Sequence, residues 1–456
     1  MGTAVFALVL AAIFGLALAN VRTFCVAVLV LAGLEMPVLT GEGRFFGGVL
    51  EVDSQALYMF AVMAGCCIAL AVRFTAAGAA LARRPLWIAL LLYAAVSLVW
   101  TTNVVYGLRM WVKLATPLLF FWTVAVAMGE GLRAREVLAA ALGGALLALA
   151  LALANAASGG ALSPLIPVEG LFGFRQLSAP YSSPSNFSFL LSTAAFVAYG
   201  GYLATRRAAR LLVAIALVVA VLFALNRAAL GGLVLGLVAF HAIRVRVRPG
   251  GVVVALVLAL VGVGLLGLSP AFKKRMFFDA EDVPWTTLLT DSGAFLSHLD
   301  TSGRNDLWQQ ASESFAGSST LVGSGVGAVD RWIRDREVRS SELHSDLYRV
   351  FLDLGAIGLL GYVCAFGALL VALIQRGRAA EAADPGRLPV ERIGLAALVC
   401  YFTTLPTDNS INYVTQFGVV VFALAAAGLN GSGRRSAAEL DFPAPSRARR
   451  FASVLD

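Results

Sequence analysis

Long apolar runs alternate with short polar joints along most of the chain. The runs fall near 4–19, 24–40, 56–72, 86–101, 109–128, 137–156, 186–203, 209–226, 228–243, 251–268, 350–374, 391–405 and 413–430. A membrane-spanning helix needs roughly 17–25 such residues, or slightly fewer with its flanks. The first two runs are short and flank Arg22, so they need not each be a full pass. The pattern predicts about twelve transmembrane helices.

The polar joints divide the chain. Residues 1–268 read as transmembrane helices with small loops, 269–349 as one large loop, 350–430 as the C-terminal transmembrane helices, and 431–456 as a basic tail. Structureless loops beyond about 12–15 residues are uncommon, so the large loop is expected to carry helices. Gly303-Arg304-Asn305-Asp306-Leu307-Trp308-Gln309-Gln310-Ala311 has the pattern of a helix start, with Thr301 or Ser302 as its cap. Thr320 to Ala328 is glycine-rich and turn-like. At the loop's end, Leu343-His344-Ser345-Asp346-Leu347-Tyr348-Arg349 runs into an apolar stretch. There Leu347, Phe351, Leu354 and Gly358 recur at helical spacing, which predicts one continuous helix.

Composition sharpens this into an all-α polytopic membrane protein. The chain is 59% hydrophobic and 14% charged, with mean hydropathy +0.83, where a soluble domain is about half apolar and one quarter charged. The net charge of +8 does not imply nucleic acid. The arginines cluster in alternate loops: Arg83-Arg84, Arg133 and Arg135, Arg206-Arg207 with Arg210, Arg244/Arg246/Arg248, Arg376 and Arg378, Arg387 and Arg392, Arg434-Arg435 and Arg447/Arg449/Arg450. That is the positive-inside pattern. It places those loops in the cytoplasm and segments 41–55, 157–185, 269–349 and 406–412 outside. The large loop holds nine basic and twelve acidic residues, so its arginines are individually placed. All five cysteines lie in apolar runs, which leaves no disulfide framework and no thiolate metal site. The first residues have no charged n-region and read as embedded rather than as a cleaved signal peptide.

Four kinds of external position stand out. His344, one of three histidines, sits at the mouth of a membrane helix, either satisfied by a loop carbonyl or acting as a general base. Arg227 lies between two apolar runs with Asn226 as its only polar neighbour; it either snorkels to a lipid phosphate or holds a substrate phosphate. Arg304 either pairs with Asp306 or Asp300 or meets a ligand, since a cation at a helix start opposes the macrodipole. Arg109 and Lys113, at i and i+4, repel unless an anion sits between them; Arg175 joins them on the same side. The chain has no D-x-D, H-E-x-x-H or Walker loop, and so lacks the usual signatures of metal-dependent sugar transfer.

These segments together resemble the O-antigen ligase/polymerase superfamily. The similarity lies in His344-Ser345 followed by Leu354-Gly355-Ala356-Ile357-Gly358, in Asn226-Arg227-Ala228-Ala229-Leu230 between two spans, and in Gly303-Arg304 with Trp308 early in the large loop. The three occur in the family's order. The resemblance implies a GT-C-type glycosyltransferase of the bacterial inner membrane, with its active site on the periplasmic face and no cofactor. It implies an undecaprenyl-diphosphate-linked glycan as donor, and lipid A-core as acceptor in the ligase branch. Membrane lipids are its surroundings; nucleic acid is not a partner. The polymerases' R-x10-G pattern is not met: the residue eleven after Arg175 is Asn186, and eleven after Arg304 is Phe315. That favours ligase over polymerase. A lipid or solute transporter is the alternative from another class, and it leaves the large loop without a task.

Under this resemblance Arg227 and Arg304, with Arg175, Arg109 and Lys113 in support, bind the lipid diphosphate and replace a metal. His344 takes the proton of the acceptor hydroxyl. Direct attack inverts the anomeric centre, with no covalent sugar–enzyme intermediate.

Overall fold

Among the described residues the apolar runs are α-helices, accompanied by one β pair, Arg44–Phe45 against Val52–Asp53. The computed structural model describes residues 2–34, 44–45, 52–163, 177–180, 182–243, 283–284, 287, 290–291, 304–335, 343–384 and 387–431. Arg175, the run 251–268, the caps Thr301 and Ser302, and the basic tail beyond Gly431 lie outside the described residues. The helices are α1 (Gly2–Ala19), α2 (Val21–Leu31), α3 (Ser54–Val72), α4 (Phe74–Ala82), α5 (Pro85–Val96), α6 (Val104–Gly129), α7 (Ala134–Ala157), α8 (Pro184–Thr205), α9 (Ala208–Phe223) and α10 (Arg227–Ala242). In the large loop stand α11 (Arg304–Ser314) and α12 (Ala328–Asp335), followed by α13 (Asp346–Ala383), α14 (Val390–Thr404) and α15 (Val419–Asn430).

Among the described residues five helices are long and apolar enough to cross a membrane, or six if α4 and α5, bent by 98°, form one span. Several other apolar helices are shorter, α1, α2, α9 and α10 among them. The protein therefore has the build of a helical membrane protein. The bend between α4 and α5 falls at Arg83-Arg84, where a plain loop was expected; Pro85 opens α5 and fixes the turn.

Hydrophobicity sorts the helices into centre and rim. In α15 every residue from Val419 to Gly428 is buried, and α14 is buried along most of its length. Helices apolar all round belong in the middle. On α9 the residues Leu212, Ile215, Val219 and Phe223 form an exposed stripe at helical spacing, as a lipid-facing surface does. In lipid the helices do not associate by the hydrophobic effect; close approach through small residues takes its place. The α10–α14 pair shows it. A Cβ at Gly232 would lie 2.8 Å from Cys400 Sγ, and one at Gly236 2.9 Å from the Ala396 carbonyl. Further along, Arg392 Nε donates to the Phe240 carbonyl at 2.8 Å. Residues 232, 236 and 240 thus face 400, 396 and 392, an antiparallel register that sets Arg227 level with Leu405.

The predicted continuous helix after His344 is broken. Gly355 has φ +67° and ψ −171° inside α13. The break frees backbone groups, and the glycine-rich turn 320–325 satisfies them. Ser324 N and Gly325 N donate to the carbonyls of Leu352 and Asp353 at 3.0 and 2.8 Å, while Ala356 N and Ile357 N donate to those of Thr320 and Leu321 at 2.8 and 3.1 Å. Helical spacing alone did not reveal this, because the apolar pattern continues on both sides.

Gly355 sits in a backbone region close to glycine-only, and a Cβ there would lie 2.2 Å from the Leu321 carbonyl oxygen. Gly355→Ala should lower stability by about 1–3 kcal/mol from the backbone alone, read as a lower thermal unfolding midpoint of the full chain. An unchanged midpoint would contradict the break.

Candidate active site

Helix direction gathers one kind of end. Helices α6, α8, α10 and α13 start with capped N-termini: the side chains of Asn103, Ser183, Asn226 and Ser345 each accept backbone N–H groups of the first turn. Asn226 Nδ2 also donates to Ser185 Oγ at 2.6 Å, so the starts of α8 and α10 touch. Asp346 N donates to the Leu405 carbonyl at 2.8 Å, which joins the start of α13 to the end of α14. The opposite end holds Arg392 near Glu381 at 3.4 Å and Tyr199 Oη against His241 Nε2 at 3.1 Å. The clustered arginines Arg206 and Arg207, in the connection between α8 and α9, and Arg210, in the first turn of α9, lie at that far end. Four helix N-termini therefore lie at the end where those clusters are absent, beside the C-terminal ends of α9 and α14.

The turn between α14 and α15 forms the floor. Thr404 and Ser410 share a hydroxyl–hydroxyl bond at 2.5 Å. Asp408 Oδ1 accepts from Asn409 N at 2.8 Å and from the Tyr413 hydroxyl at 3.1 Å. Asp346 Oδ2 accepts from Ile411 N at 2.9 Å. This short polar stretch was legible only as a turn; its side chains prove to be the hub.

Asp330, on the first turn of α12, ties the hub to the helices. Its carboxylate lies 3.3 Å from Arg349 Nη1 and 3.5 Å from Lys113 Nζ. Lys113 Nζ donates to Asn412 Oδ1 at 2.8 Å, and Arg349 Nη1 donates to the same oxygen at 3.2 Å. Burial alone would push the Asp330 carboxyl up, but Arg349, Lys113 and Arg109 together hold it down, from 3.8 to about 2. Asp353 anchors α12 from below: its carboxylate accepts from Gly327 N and Val329 N, each at 2.9 Å. The anion that Arg109 and Lys113 require is thus the protein's own Asp330. Lys113, expected at the lipid diphosphate, lies against that carboxylate.

His344 stands in the left-handed region at φ +54°, a strained place for a bulky residue. Asn409 holds it there. Asn409 Oδ1 accepts from His344 N at 3.1 Å and from Arg349 Nη2 at 3.4 Å. The amide orientation follows from those two donors, so Nδ2 is what faces His344 Nδ1, at 3.2 Å. An amide nitrogen only donates; Nδ1 therefore accepts, and the network assigns the hydrogen of the neutral ring to Nε2. A general base acting through Nε2 needs the opposite tautomer. Asn409 orients the ring.

Arg304 reaches the same turn. Its Nη1 donates to the Thr407 carbonyl at 2.6 Å, not to Asp306, and its Nε is buried with no hydrogen-bond partner among the described residues. Arg304 and His344 thus grip residues two apart on one turn. Arg227, the first residue of α10 and half-buried, comes level with Leu405 by the register above. It too follows a strained residue, Leu225 at φ +50°. Arg175 lies outside the described residues. Sequence reasoning missed Arg349, Asp330, Asn409 and Asn412; their signal is pairing across 19 to 299 positions, which no local pattern carries.

No protein-family model matches the chain, and no curated protein matches it.

A carboxyl held below its ordinary value stabilises the fold above about pH 4, and that contribution is lost as pH falls toward 2. Asp330→Asn should therefore cost on the order of 2 kcal/mol or more at pH 7, read by thermal unfolding, with the gap to the parent narrowing as the pH drops below 4. Equal midpoints at pH 7 would contradict the role given to Asp330.

Proposed function

We propose that the chain is an O-antigen ligase. In this reading it is a glycosyltransferase of the GT-C type in a bacterial inner membrane, with about twelve spans. It transfers glycan from undecaprenyl diphosphate to a sugar hydroxyl of lipid A-core on the periplasmic face. The observation that carries the proposal is the meeting of Arg304 and His344 on the turn 405–412, at the end of the bundle opposite the arginine clusters. The sequence resemblance supplies the substrates.

The residues have work suited to that chemistry. The bond between the sugar's anomeric carbon and the diphosphate oxygen breaks, and its electrons stay with the diphosphate. The acceptor oxygen forms the new bond from the opposite face, and its proton is released to water at the membrane face. Arg304 and Arg227 hold the leaving group and compensate its growing charge, each guanidinium able to bind two oxygens. The capped helix N-termini add to the positive field. With its hydrogen on Nε2, His344 acts as a donor to an oxygen of the reacting groups. Neutral imidazole has such an electrophilic role elsewhere. Asn409 is a positioning residue: it fixes that tautomer.

The test uses purified full-length protein, lipid-linked donor and lipid A-core. Transfer to lipid A-core, undiminished by EDTA, is expected; lengthening of the lipid-linked glycan instead would make the chain a polymerase, and movement without transfer a transporter. His344→Ala should lower kcat by about 100-fold or more. His344→Gln, which donates but is no base, should recover a substantial part of the loss. Equal inactivity of both variants would return His344 to the role of base.

A further inference from the structure

A cavity of about 180 Å³ lies away from the Arg304–His344 meeting point, between the end of α11, the turn 315–320 and the first turns of α13. Its walls carry the hydroxyls of Ser312, Ser318, Ser319 and Thr320 and the rings of Tyr348 and Phe351, and among the described residues no charged side chain lines it. None of those residues offers a diphosphate a counter-charge. The two rings lie nearly parallel, at 16° and 6.5 Å between centroids.

The hydroxyls retain hydrogen-bonding capacity. Ser324 donates to Ser318 Oγ at 2.7 Å, and Val322 N donates to Ser319 Oγ at 3.4 Å. A hydroxyl is one donor with two acceptor lone pairs, so Ser318 and Ser319 each keep an O–H to give. Donors and acceptors beside an aromatic face suit a neutral ligand with hydroxyls on its edge and C–H groups on its face. The volume equals about six waters, room for one pyranose ring.

The position fits a glycan. Ile357 N bonds the Leu321 carbonyl, and Leu321, Ile357 and Leu360 are 63%, 50% and 65% exposed. These exposed apolar residues adjoin the cavity, whose wall includes Thr320, the neighbour of Leu321. Trp308 Nε1 donates to the Leu343 carbonyl at 2.8 Å, which fixes α11 against the residue before His344. Along α11, Ser312 stands about 12 Å from Arg304 at 1.5 Å per residue.

We propose that this cavity is a subsite for a single neutral pyranose of a membrane-anchored glycan, one ring removed or more from the sugar that reacts. The proposal rests on the glycosyltransferase reading. The ring belongs either to the acceptor or to the donor, and the two are separable.

Saturation-transfer NMR on the full chain in nanodiscs tests it, with two probes: core oligosaccharide cut from lipid A, and O-antigen oligosaccharide cut from its diphosphate carrier. Saturation of ring protons is expected for one probe, in the parent and in His344→Ala alike. Ser319→Trp and Thr320→Trp, at exposed positions, should fill the cavity and weaken that probe at least tenfold, while Ser314→Trp on the far side of α11 should keep the signal. The probe that loses affinity names the glycan. Equal signals from all five proteins, or none from the parent, would overturn the subsite. Binding that persists without any transfer would instead remove the ligase reading and leave the subsite; transfer with an unaltered KM for both glycans in Ser319→Trp would remove the subsite and leave the ligase.

Discussion

A single carboxylate holds the polar end of this protein together. Asp330 lies within ion-pair distance of Arg349 on α13 and Lys113 on α6, and both cations continue to Asn412 in the turn after α14. Four separate segments therefore meet on one charge. Arg349 is 1% exposed, so losing Asp330 would strand a buried guanidinium, a far costlier event than losing a surface pair. The network is also what places Asn409, since Arg349 Nη2 shares the amide oxygen that receives His344 N.

The break in α13 belongs to the same arrangement. It gives the loop 320–327 backbone partners, and the loop delivers α12, whose first N–H groups rest on the Asp353 carboxylate. Asp330 is the third residue of that helix. The break at Gly355 and the left-handed backbone at His344 are thus held by hydrogen bonds from opposite sides: one set carries Asp330 to Arg349, and the other carries His344 to the turn. Backbone strain so over-determined is common where geometry serves chemistry.

Much of the fold was legible because periodicity and hydropathy are local. Helix α11 covers the stretch from Arg304 to Ala311 that carries a helix pattern, α10 starts at Arg227, one residue before the run read from 228, and the glycine-rich turn is a turn. The repulsion between Arg109 and Lys113 correctly demanded an anion, though it could not say that the anion was Asp330, one of twelve acids in the loop. Arg349 stood inside the very stretch that drew attention to His344, yet its role depends on Asp330 and Asn412, which are distant in sequence. The tautomer of His344 was beyond reach for the same reason: it is set by an amide 65 positions away.

The central claim is that Arg227 and Arg304 serve one bound lipid diphosphate beside His344. Equilibrium binding of radiolabelled undecaprenyl diphosphate to the full chain in nanodiscs tests it directly, with Arg227→Ala, Arg304→Ala and the double variant. Each single change should weaken binding by about 10- to 100-fold, the value of one charge-assisted contact, and the double loss should differ from the product of the two, as for groups that share one ligand. Parent-like affinity in all three variants would contradict the account.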